Sequence, residues 1–87
     1  MLVNYSKLIW IRDEFKQLAN EETESIGVYQ IQNLAIYLYI DLETHTVLTV
    51  EFDYNDQPKL LDKDIPRHNT KAVYEWLRDE EIIYGEL

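Results

Sequence analysis

Apolar and polar positions alternate through residues 35–54, AIYLYIDLETHTVLTVEFDY, closely enough to predict two strands of an antiparallel hairpin. The strands are expected over 34–42 and 46–54. Leu34, Ile36, Leu38, Ile40, Leu42, Leu48, Val50 and Phe52 lie on one face, and Tyr37, Tyr39, Asp41, Thr49, Glu51 and Asp53 on the other. Because even positions must pair with even positions, the turn within LETHT is expected to hold an odd number of residues, three or five. A further strand is expected over 26–31, IGVYQI, weakened by Gly27.

Before these strands the pattern changes period. Leu8, Ile11, Phe15 and Leu18 recur at spacings of three, four and three, which predicts an amphipathic helix over 6–21 with Asn4 or Ser6 as its cap. On that helix Trp10 points away from the apolar stripe. After the strands, 55–69 holds both prolines and no periodicity, so it reads as a long connection pinned by Leu60, Leu61 and Ile65. Asn69 then caps a second helix read over TKAVYEWLRDEEIIY, 70–84, whose broad apolar face carries Ala72, Val73, Trp76, Leu77, Ile83 and Tyr84. Glu80 would interrupt that face, so the regular helix is expected to stop near residue 80, with Gly85 as the residue that closes its end.

The predicted order is α-β-β-β-α in a single domain spanning residues 1–87. The expected fold is α+β: a two-layer sandwich of a three-stranded antiparallel sheet with both helices on one face, leaving the Tyr/Asp/Glu face open.

Composition narrows the function classes. With 46% hydrophobic residues, seven Tyr and two Trp, the 87-residue chain can build a core. It has no Cys, which removes disulfides, thiolate nucleophiles and Cys-ligated zinc, and suggests a cytoplasmic protein. The N-terminus lacks a signal-peptide pattern, and no apolar run approaches a membrane span. DYND at 53–56 begins like a calcium loop, but Pro58 stands where such loops need glycine. His45 and His68 have no ligand partners at metal-binding spacing. Ser6 and Ser25 lie in no nucleophile motif, and two glycines cannot build a phosphate loop. The chain is therefore expected to have no catalytic residues, no metal and no cofactor.

Charge adds the most specific signal. Seventeen acids against eight bases give a net charge of −9, which argues against direct nucleic-acid binding. Between Lys16 and Lys59 lie 42 residues without a single Lys or Arg but with Glu21, Glu22, Glu24, Asp41, Glu43, Glu51, Asp53 and Asp56. A second acidic patch comprises Asp79, Glu80 and Glu81, with Glu75 and Glu86 near it. On this reading all bases sit on the helices and the connection, so the sheet is uniformly negative. Tyr37 and Tyr39 beside Glu51 and Asp53 would meet a partner's arginines by pairing and stacking together. The expected function is a small acidic inhibitor that mimics nucleic acid and blocks a basic nucleic-acid-binding protein. In general type, though by no motif, this resembles the phage-encoded anti-restriction and anti-CRISPR proteins. An immunity protein or antitoxin against a basic nuclease, or a housekeeping adaptor, is the alternative. The chain would act as a monomer or homodimer, and a homodimer would pair through Trp10 or a strand edge rather than the acidic face.

Overall fold

The segment expected to form the first helix is the longest strand of the molecule. A computed structural model describes residues 2–61 and 64–85. In chain order it contains β1 (Leu2–Val3), a 3-10 turn (Tyr5–Lys7), β2 (Leu8–Gln17), β3 (Thr23–Ile31), β4 (Ile36–Asp41) and β5 (Thr46–Phe52). A second 3-10 turn (Tyr54–Asp56), α1 (Gln57–Leu61), α2 (Thr70–Asp79) and β6 (Ile83–Tyr84) follow. The main sheet is antiparallel with strand order β2-β3-β4-β5, and β1 pairs with β6 in a separate two-stranded sheet. The architecture is thus a four-stranded sheet plus a small ribbon and two short helices, not a three-stranded sheet under two helices. No described helix is long and apolar enough to cross a membrane.

A β-bulge explains the misreading of β2. Leu8 and Trp10 pair with Ile31 and Tyr29, but the next paired residue is Arg12, opposite Val28. Ile11 is the extra residue, so the apolar positions slip out of period two and acquire helix-like spacing. A second bulge falls on Leu48: Tyr39 pairs with Thr49 while Ile40 pairs with Val47. The hairpin turn over 42–45 accordingly holds four residues rather than three or five. The bulge restores the even-with-even pairing of Leu38 with Val50 and Ile36 with Phe52. It also turns Val47 into the core in place of Leu48, which is exposed.

The core lies on one side of the sheet. Ile36, Leu38 and Ile40 are fully buried, and they cluster with Leu8, Ile31, Val73, Leu77, Leu60, Ile65 and Ile83. α2 and the β1–β6 ribbon thus cover this face, while α1 breaks the connection expected to be irregular and contributes Leu60. The side chain of Leu61 and all of Glu86 lie outside the described residues.

α2 ends where expected, by an unexpected residue. Asn69 accepts from the Ala72 amide at 3.2 Å, which caps the start. At the other end the Ile82 amide donates to the Leu77 carbonyl (2.9 Å) and the Glu81 amide to the Arg78 carbonyl (3.0 Å). This is a Schellman closure, with the left-handed position filled by Glu81 at φ 59° rather than by Gly85. A side chain in that conformation costs about 1 kcal/mol. Glu81→Gly is therefore expected to stabilise the chain by about 0.5–1 kcal/mol, raising Tm by a few degrees in thermal denaturation. An unchanged or lower Tm would show that this turn carries no strain.

Candidate functional site

Directly paired residues share a face of an antiparallel sheet, so the register assigns each side chain. The face away from α2 carries Arg12, Glu14 and Lys16 on β2, Val28 on β3, Tyr37 and Tyr39 on β4, and Thr49 and Glu51 on β5. Making β2 a strand brings two cations onto a sheet that the sequence alone marks as uniformly negative. By register the face holds four acids, Glu14, Glu24, Asp41 and Glu51, against Arg12 and Lys16.

Arg12 organises the middle of this face. Its Nη2 lies 2.9 Å from Glu14 Oε1 and donates to Tyr39 Oη at 3.3 Å. Tyr39 in turn donates to Glu51 Oε2 at 3.1 Å. The chain of contacts runs from β2 to β5 over Val28, whose side chain is completely buried although it sits on the open face. Glu14 holds the Arg12 guanidinium in its charged form. Partial burial raises the Tyr39 phenol above its ordinary value, the Glu51 carboxylate adds to this, and Arg12 opposes it. Tyr39 therefore remains a neutral donor at physiological pH.

Beside this network a shallow groove of about 480 Å³ opens between Ile11 and Arg12 on one side and Glu51, Asp53 and Tyr54 on the other. Tyr37, Tyr39 and Val28 form its floor. The arrangement offers ring faces, two carboxylates and a fixed guanidinium to a ligand of peptide-like shape. Among the described residues no group of three or more His, Cys, Asp or Glu side chains could hold a metal ion.

The acids singled out from the sequence divide into three places. Glu21, Glu22, Glu24, Asp41 and Glu43 gather at the end of the sheet where the β2–β3 and β4–β5 turns lie. Asp41 has a local task there: its Oδ1 accepts from the amides of Thr44 (3.1 Å) and Glu43 (2.8 Å), which hold its carboxyl below the usual range. Glu51, Asp53 and Asp56 belong to the opposite end. Asp53 caps the second 3-10 turn through the Asn55 amide (3.0 Å), and Asp56 pairs with Lys59 at 3.2 Å. Asp79, Glu80 and Glu81 stand at the C-terminus of α2, where acids oppose the helix dipole. Lys7 Nζ, donating to the Glu80 carbonyl at 2.6 Å, offsets that.

Sequence reasoning thus finds Tyr37, Tyr39, Glu51 and Asp53 on one side but separates them from Glu21, Glu22 and Glu24 less than the structure does. It misses Arg12, Ile11 and Tyr54. A helical β2 hides the first two; Tyr54 extends the strand pattern by one residue and was legible only as strand. His45 lies in the exposed turn as expected and contacts the Tyr5 hydroxyl through Nδ1 at 2.8 Å. His68 is also exposed. No protein-family model, curated protein or solved structure matches this chain.

Proposed function

We propose that the chain is a non-catalytic binding protein whose open sheet face receives a basic segment of another protein. The observation that carries this reading is the groove in which Tyr37, Tyr39 and Tyr54 surround Glu51 and Asp53. An arginine entering it can pair with a carboxylate and stack on a ring in one geometry. Arg12 does not oppose this, because Glu14 neutralises it and Tyr39 holds it in place. The net charge of −9 would steer a basic partner toward the chain from a distance.

The finer reading is that the partner binds nucleic acid and that the chain inhibits it by occupying the phosphate sites. Two anionic zones favour it: the Glu51–Asp53 end of the groove, and the acids around the two turns. Along β5 these zones lie about 17 Å apart at roughly 3.4 Å per residue. Such a spacing matches a span of several phosphates rather than one.

The test is affinity capture on the immobilised chain at low salt, followed by direct titration of each captured protein. A basic nucleic-acid-binding protein is expected, released by high salt and displaced by duplex DNA or RNA. The double variant Glu51→Lys with Asp53→Asn is expected to weaken its binding at least tenfold while the fold persists, since Glu51 is exposed and asparagine at 53 can still accept the Asn55 amide. Retention indifferent to salt defeats the electrostatic reading. Loss of displacement by nucleic acid alone defeats only the mimicry.

A further inference from the structure

β2 is an edge strand of ten residues, and no strand among the described residues lies on its outer side. Its end also projects. β4 pairs with β3 from Ile26 onward and reaches Ser25 only through the Leu42 amide, which donates to the Ser25 carbonyl at 3.1 Å, so Thr23–Glu24 and their partners Lys16–Gln17 extend about 7 Å beyond the sheet as a two-stranded ribbon. Such ribbons are marginal alone. At its base Phe15 is 71% exposed, the most exposed large apolar side chain among the described residues.

The backbone direction here follows from the turn. Leu18 donates to the Glu22 carbonyl (2.7 Å) and accepts from the Glu21 amide (3.2 Å), so its polar groups point toward β3. Alternation then turns the amides and carbonyls of Asp13, Phe15 and Gln17 outward. These groups are a template for another strand.

We propose that the occupant is a second copy of this chain, pairing β2 with β2 antiparallel about a two-fold axis at Phe15. Charge selects both the partner and the register. With Phe15 opposite Phe15, each Glu14 faces the second copy's Lys16, and each Asp13 faces the second copy's Gln17. Moving the axis to Glu14 sets Glu14 against itself and Arg12 against Lys16. Moving it to Lys16 sets Lys16 against itself. Charged residues normally blunt an edge against pairing; here their signs are self-complementary. The Phe15 rings meet beneath the axis, and the segment avoids the bulge at Ile11. The result is a continuous eight-stranded sheet with both Tyr/acid grooves on one face. The pairing is independent of what those grooves bind.

Because the pairing covers only Asp13–Gln17 of one strand, the dimer is expected to be reversible, with Kd in the micromolar range. Sedimentation velocity over a wide concentration range should show monomer and dimer in exchange. K16E opposes acids at both pairs and should weaken the dimer at least tenfold. Adding E14K to K16E restores complementarity and should restore the dimer. The chain has no cysteine, so F15C reads the register directly: its Cα atoms would lie about 5.5 Å apart across the axis, within disulfide reach. Mild oxidation should link two F15C copies and leave W10C unlinked. A chain that stays monomeric at every concentration overturns the proposal. So does a dimer that K16E leaves as tight, or one in which F15C does not cross-link.

Discussion

Leu38→Ala is expected to remove about 2–5 kcal/mol of stability, read as a fall in the urea midpoint. Leu38 is completely buried, sits opposite Tyr29 and Val50 in the register, and contributes to the cluster with Val73 and Leu77. Removing its branched end leaves a cavity under α2 that a small, close-packed core cannot refill. A domain of this length has a total stability of roughly 4–13 kcal/mol, so the variant approaches unfolding. One residue away the outcome reverses. Tyr39 points to the other face, and Tyr39→Phe removes only the hydroxyl between Arg12 and Glu51. That half-exposed hydroxyl is worth about 1 kcal/mol or less. If both variants unfold at similar midpoints, the assignment of the two faces is wrong.

The same alternation made β4 the most legible element in the sequence. Ile36, Leu38 and Ile40 against Tyr37, Tyr39 and Asp41 follow the strand period without interruption, and α2 follows the helical one between a capping Asn69 and its stop near residue 80. The elements that misled are those carrying a bulge. One extra residue at Ile11 turns an alternating edge strand into the spacing of a helix, and one at Leu48 swaps the core position for Val47. A bulge depends on the neighbouring strand, so hydrophobic period alone does not announce it. The consecutive run Leu8–Ile11, awkward on a helix with Trp10 turned away, was the available signal for a strand.

The site inherited both successes and errors. Tyr37, Tyr39 and Glu51 fall together because their strand parity is right. Arg12 joins them only once β2 belongs to the sheet, and with it the uniformly negative face becomes a mixed one. Asp41 and Asp53 were counted as free acids, whereas each accepts amides of the turn that follows it. Short acidic side chains before a turn have that use as a matter of local geometry. A tally of charges therefore overstates what these carboxylates offer a partner: in each, Oδ1 is taken by the turn and only Oδ2 is left.

Gly27→Val is expected to destabilise the chain by about 1–3 kcal/mol through overpacking, despite the higher strand propensity of valine. Gly27 pairs with Asp13 on β2 and Ile40 on β4, on the core side of β3. A Cβ placed there would stand 2.7 Å from Tyr29 Cε1 and 2.8 Å from Leu42 Cδ2, closer than carbon atoms approach. Leu42 can yield at its flexible end. The Tyr29 ring has less freedom, because it packs against Tyr5 at a centroid distance of 5.2 Å, and Tyr5 is tied to His45. Moving Tyr29 therefore disturbs the contact that joins the N-terminal segment to the β4–β5 turn. Valine adds two methyl groups to the clash, so Gly27→Ala should fall between the native chain and Gly27→Val in thermal denaturation. A Gly27→Val chain as stable as the native one would mean that Tyr29 and Leu42 repack freely, and that glycine here is only the weak strand residue its propensity suggests.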